Sequence, residues 1–162
     1  MNEKTQRKLF SYLAKKSIDN FIGVPDSTMK FFIDEGLKNK KIIITTREEE
    51  AIGICVGMSL ANSDSVVFMQ NAGFANSLST ITSLVQLYKI PLIFLIGWRG
   101  YMKTDAPEHQ KIGKIQPQLL ETIGLKSKII DEKNWKISCD WAMNHSKKGT
   151  PCALIIRRIF ND

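Results

Sequence analysis

Three consecutive glutamates, Glu48, Glu49 and Glu50, stand directly before a long uncharged stretch; after Glu50 the next charged residue is Asp64. In TTREEEAIGICVGMSLA, residues 45–61, the carboxylates open a segment that is apolar all round. Ala51, Ile54, Cys55 and Met58 form one stripe of a helix, and Ile52, Val56 and Leu60 fill the other side. A helix that is apolar on every side is a buried one. Acidic residues in a first turn are ordinarily favoured by the helix dipole, and that accounts for Glu48 and Glu50. A carboxylate at the rim of a surface that is covered on assembly does something else. Losing water raises its proton affinity, so it can share a proton with a bound ligand. Gly53, Gly57 and Ala61, small residues four apart, permit close approach of another backbone. The next helical segment, residues 75–88, also lacks charge, and two such neighbours point to a subunit interface or to a tight internal pair.

Elements that position these residues alternate along the chain. Helical spacing marks residues 4–16, 27–38, 48–61, 75–88, 115–123 and 132–147, with Ser27 as a candidate cap. Between them lie short strands: FIGVP, KIIITT, SVVFMQ, IPLIFLIG, KSKII and CALIIRR. Strands alternating with helices predict an α/β fold, a doubly wound parallel sheet with helices on both faces. The continuously apolar strands agree, because parallel strands are buried on both sides. Ligands in such sheets bind outside the carboxyl ends of the strands. Four strand-to-helix turns therefore matter most: GVPDS (23–27), TTREEE (45–50), QNAGFANS (70–77) and the polar loop GWRGYMKTDAPEHQ (97–110).

Composition narrows the classes. The 162 residues predict one domain, 1–162. The net charge is +7, but residues 51–96 carry only Asp64 and Lys89, and basic residues elsewhere are interleaved with acids. No aromatic residues alternate with basic ones as a stacking platform would need, so no nucleic-acid partner is expected. The longest apolar run, IPLIFLIGW, has strand length, so no membrane span is expected either. MNEKTQRKLFSYLAKK reads as an amphipathic helix rather than a signal peptide. Cys55, Cys139 and Cys152 are odd in number and widely spaced; they read as reduced thiols of a cytoplasmic protein.

Four segments in order, TREEEAIGI, MQNAGFANS, YKIPLIFLIGWRG and DAPEHQ, resemble the pyrimidine-binding domain of thiamine-diphosphate-dependent decarboxylases. The likeness runs from about Phe21 to Gly124 and is strongest to phosphonopyruvate decarboxylase, then to the sulfopyruvate decarboxylase alpha subunit. It implies that one glutamate of this helix start hydrogen-bonds the pyrimidine N1′ and drives the proton relay. The Arg-x-Glu pattern puts that role on Glu49, the expected catalytic residue. It further implies that Pro25 and Asp26 lie near the pyrimidine or substrate, though Pro25 is equally a simple turn former. Gly73, Phe74 and Asn76 would pack on the aminopyrimidine, with Ala75 standing where relatives usually have a second glycine. Asn71, Arg99 and His109 would meet the substrate. Arg99 offers forked donors to a phosphonate, or forms an ordinary ion pair. His109 is a proton donor or anion ligand, or merely solvated. The family's second domain, with a Gly-Asp-Gly motif that holds Mg2+ and the diphosphate, has no counterpart in these residues. The resemblance thus implies an alpha subunit that acts with a beta subunit, as an alpha/beta hetero-oligomer. The expected reaction is decarboxylation of a small anionic 2-oxo acid, 3-phosphonopyruvate first and sulfopyruvate as the alternative. A non-catalytic small-molecule-binding or partner protein of the same fold is the reading from another class.

Overall fold

Apolar runs too short for helices dictate the centre of the molecule. The computed structural model describes residues 1–102 and 104–157. Six strands form one all-parallel sheet: β1 (Asn20–Gly23), β2 (Ile42–Ile44), β3 (Ser65–Gln70), β4 (Ile93–Trp98), β5 (Lys126–Ile130) and β6 (Cys152–Arg157). The order across the sheet is β2-β1-β3-β4-β6-β5. Of the four inner strands, β3, β4 and β6 are buried for all but their last residue, as strands covered on both faces must be. β2 lies at an edge, where Ile43 and Ile44 are exposed.

Helices α1 (Glu3–Lys15), α2 (Lys30–Lys38) and α7 (Trp135–Ser146) cover one face. An aromatic cluster fills that side, with the Phe10 ring 4.8 Å from Phe21 and 5.5 Å from Phe32. The other face takes α3 (Glu48–Leu60), α4 (Asn71–Asn76), α5 (Leu78–Thr80) and α6 (Pro107–Thr122). α5 continues as a π-helical turn over Ile81–Gln86. There the hydroxyls of Thr82 and Ser83 donate back to the carbonyls of Leu78 and Ser79 and compete with the regular helical ladder. Among the described residues no helix is long and apolar enough to cross a membrane.

Several local expectations change. Ser27 does not cap a helix: the Asp26 carboxylate accepts from the Thr28 N–H and opens a short 3-10 turn, Ser27–Met29, before α2. QNAGFANS is helical from Asn71 onward. α6 begins at Pro107, inside the expected polar loop, because a proline in the first turn lacks only an N–H that would be orphaned anyway. α3 buries Ala51, Ile52, Cys55 and Val56. Its opposite side is open: nothing lies within 4 Å of where Gly53 or Gly57 would carry a Cβ, and Leu60 is 72% exposed. Arg158 falls outside the described residues.

All three cysteines are buried and unpaired, and burial pushes each thiol up to about 12. A dithiobis-nitrobenzoate titration at neutral pH is therefore expected to modify none of them in the native chain and all three after denaturation. Rapid reaction of any native thiol would contradict this packing.

Candidate active site

The topology places the four informative turns side by side. β2, β1, β3 and β4 are consecutive neighbours, so the turns after them form one continuous rim. The strand order reverses between β1 and β3, the place where such sheets open a crevice. Asp26, just beyond β1, accepts from Gln70 Nε2 at the end of β3 at 3.1 Å and from the Thr28 N–H at 3.1 Å. Its side chain is 1% exposed. The carboxylate lies against the backbone of Gly97, where any Cβ would collide with it, so β4 needs glycine at that rung.

Asn71 extends the β3–β4 ladder with its side chain. Asn71 Nδ2 donates to the Arg99 carbonyl at 2.9 Å, and the Arg99 N–H donates to Asn71 Oδ1 at 3.2 Å. The Arg99 fork closes on Asp105, with Nη2 to Oδ1 at 2.7 Å and Nε to Oδ2 at 3.0 Å. Asp105 also accepts from the Gly100 and Ala106 N–H groups. The guanidinium beside it, with those two N–H donors, holds the Asp105 carboxyl far below the usual carboxylate range. Arg99 Nη1 reaches the Ser27 hydroxyl at 3.1 Å and stands 3.9 Å from Asp26 Oδ1. One charged network thus ties the ends of β1, β3 and β4 to the following loop.

The three glutamates have three different surroundings. Glu50 Oε2 accepts from both the N–H and the hydroxyl of Thr46, bonds that hold its carboxyl below the ordinary value. Glu49 leans toward the exposed Arg47, with Oε2 3.7 Å from Nε. Glu48 is half-buried and lies over Gly73, where a Cβ would land on its carboxylate. Among the described residues the Glu48 carboxylate accepts no hydrogen bond and joins no ion pair.

Of the other expected site residues, Asp26, Asn71 and Arg99 meet in the network, and Pro25 is exposed beside it. Phe74 turns inward and is wholly buried in the core, away from the rim. Asn76 is exposed at the last residue of α4. His109 sits in the first turn of α6, half-buried, with Nε2 4.0 Å from Glu108 Oε1. Its side chain shares no hydrogen bond with Asp26, Asn71 or Arg99. Gln70, Asp105 and the orientation of Glu48 were missed in the sequence. The first two lie inside quoted motifs; for Asp105 the available signal was a charged residue in a loop following an apolar strand, and for Gln70 a polar residue ending one.

Breaking a buried pair by removing one partner ordinarily costs about 3 kcal/mol or more, so Asp105→Asn is expected to destabilise the chain by about that much at neutral pH. A group with a depressed folded pKa contributes stability above its unfolded pKa and loses it as pH falls. The gap between the wild type and Asp105→Asn in urea titrations should therefore be constant near neutrality. It should narrow below about pH 4, from the ordinary value of 3.8 downward. A gap unchanged at the lowest accessible pH would contradict the ion pair.

Comparison with known proteins fits this geometry. Residues 3–121 match the family described as "Thiamine pyrophosphate enzyme, N-terminal TPP binding domain". The chain is 34% identical over 117 residues to the sulfopyruvate decarboxylase subunit alpha of Methanococcus maripaludis, covering 71% of this chain and 70% of that one. It is 35% identical over 115 residues to the same subunit of Methanocaldococcus jannaschii, covering 70% and 68%. It is 26% identical over 127 residues to the phosphonopyruvate decarboxylase of Streptomyces viridochromogenes, covering 76% of this chain and 32% of that one. The fold also matches a 2-oxoglutarate:ferredoxin oxidoreductase from Magnetococcus marinus, with a TM-score of 0.68 and 12% identity over 94% of this chain and 28% of that one. The chain belongs to the thiamine-pyrophosphate-dependent decarboxylase family, in which it forms the N-terminal cofactor-binding domain.

Proposed function

We propose that this chain is the alpha subunit of a 2-oxo acid decarboxylase and that Glu48 is its activating carboxylate. The observation that carries this is the contrast among the three glutamates. Among the described residues Glu50 is bonded to Thr46 and Glu49 leans on Arg47, while the half-buried Glu48 has no partner. The arginine-spaced pattern favours Glu49; the geometry favours Glu48.

The residues present fit thiamine diphosphate. Gly73, having no Cβ, lets the Glu48 carboxylate lie directly over its backbone at the rim, and among the described residues that carboxylate has no partner, so a ring nitrogen of the cofactor can take it. When bound, the cofactor supplies the electron sink for loss of carbon dioxide. The chain's own work is to hold a proton at the Glu48 carboxylate, to orient the ring and to keep water out. Asp26 and Asn71, fixed by their hydrogen bonds, shape the substrate side of the rim, and His109 is the candidate proton donor or anion ligand there. Mg2+ and the diphosphate are assigned to a beta subunit.

Between the two acids, we favour sulfopyruvate. The relatives of higher identity carry that name. The electrostatics agree: the Arg99 charge is already matched by Asp105, and Asp26 lies 3.9 Å from its Nη1. A rim so neutralised suits a monoanionic sulfonate better than a dianionic phosphonate.

The partner is assigned to the uncharged face of α3 and the π-helical turn, where Leu60, Leu87 and Tyr88 are 72%, 67% and 66% exposed. Gly57→Leu meets nothing in the isolated chain and removes a helical glycine, so it is expected to raise stability by up to about 1 kcal/mol. The same variant should fail to co-elute with the beta subunit in size-exclusion chromatography. Normal assembly of the variant would contradict an interface here.

The reaction is tested by an aldehyde assay on the assembled subunits with thiamine diphosphate, Mg2+ and each acid. Glu48→Gln is expected to lower kcat by about 100-fold or more, in the range of a lost general acid–base group. Glu49→Gln should retain most of the activity. The reverse pattern would move the role to Glu49. No aldehyde from a verified complex with either acid would favour a non-catalytic binder.

A further inference from the structure

Helix α1 sets basic and aromatic residues on one face: Lys8, Tyr12 and Lys15 stand at positions i, i+4 and i+7. α7 packs beside it and brings Trp135, whose ring meets the Tyr12 ring edge-on with centroids 5.6 Å apart. Here lies an open groove of about 360 Å³, lined by Lys8, Tyr12, Lys15 and Trp135 and by the Arg7–Glu35 pair.

The groove is positive because the acids around it are already engaged. Glu3 and Glu35 both bind Arg7, at 2.9 and 3.0 Å. Asp140 accepts from the Tyr12 hydroxyl at 2.6 Å. The ammonium groups of Lys16 and Lys136 stand 5.6 and 5.5 Å from the centre of the Tyr12 ring and add to the charge there. Lys8, Lys15, Lys16 and Lys136 are all exposed, and among the described residues none of them pairs with a carboxylate. Trp135 is half-buried, and among the described residues its indole N–H has no acceptor. Acids and bases that alternate in the sequence are thus sorted by the fold, leaving four ammonium groups and an indole donor around one aromatic floor.

We propose that the groove between α1 and α7 binds a nucleoside diphosphate, with its base against Trp135 and its phosphates among Lys8, Lys15 and Lys136. The phosphates follow from the uncommitted ammonium groups, which are strong donors to phosphate oxygens. The base follows from the aromatic floor, because every base offers a flat face to an indole. The volume lies in the range of small-molecule sites, about 300–1,000 Å³, and is too short for an extended chain. The groove lies on the face of the sheet opposite α3 and α4, and none of its lining residues belongs to the network of Asp26, Asn71, Arg99 and Asp105.

The probe is ADP, titrated into the full chain at low salt and followed by the NMR shift of the Trp135 indole. A saturable shift is expected, with adenosine binding at least 10-fold more weakly and pyrophosphate at least 5-fold more weakly. Lys8→Gln combined with Lys15→Gln changes two exposed side chains that hold no other element, so the fold is kept. That variant is expected to bind ADP at least 10-fold more weakly. No saturable shift with ADP, equal binding of adenosine or of pyrophosphate, or undiminished binding to the double variant would each overturn the proposal.

Discussion

The Arg99–Asp105 pair is the interaction on which the carboxyl edge of this sheet depends. Strands end in open space, and the loops after them have no ladder to hold them. Here a guanidinium fork 2.7 Å from a carboxylate fixes the loop after β4 against the strand it leaves. Burying such a pair is favourable only when the remaining donors and acceptors are also met. They are met: Asp105 takes two further N–H groups, and Arg99 reaches Ser27 across the rim. Asn71 then binds both backbone groups of Arg99, and Asp26 is fixed by Gln70. Three strand ends become one rigid rim.

A second constraint is the pitch of a helix. Successive residues are turned by about 100° around the axis, so three adjacent carboxylates cannot share one task. Glu50 turns back on the chain that precedes α3. Glu49 faces Arg47. Only Glu48 is carried over the neighbouring strand's turn, onto Gly73. The three different surroundings are a consequence of helix geometry, with Gly73 making room for Glu48. The same helix leaves Gly53 and Gly57 uncovered on its far side.

Much of this was legible in the sequence, for physical reasons. Runs such as SVVFMQ and CALIIRR are too short and too apolar to be anything but buried strands, and their alternation with helices implies a parallel sheet. The four turns at the rim follow from that sheet. Less legible was whatever depends on side-chain direction. Asn71 and Phe74 sit three apart in a stretch that looks like a glycine loop, and only its helical winding sends Phe74 into the core while Asn71 reaches the rim. Arg99 and Asp105 are six apart in a polar loop, and nothing in their spacing announces a fork. α6 was placed too late because its first turns are polar, and Pro117 obscured its centre. Which of Glu48 and Glu49 faces the rim turns on one residue of register, which a pattern of like side chains does not fix.

The central claim is that Glu48 is the carboxylate turned toward the cofactor. The most direct measurement is a crystal structure of the assembled subunits with thiamine diphosphate. The account requires Glu48 within hydrogen-bond distance of the pyrimidine N1′, with Gly73 against the ring and the Arg99–Asp105 pair unbroken. A structure in which Glu49 or Glu50 makes that bond, or in which Glu48 points to solvent, would contradict it.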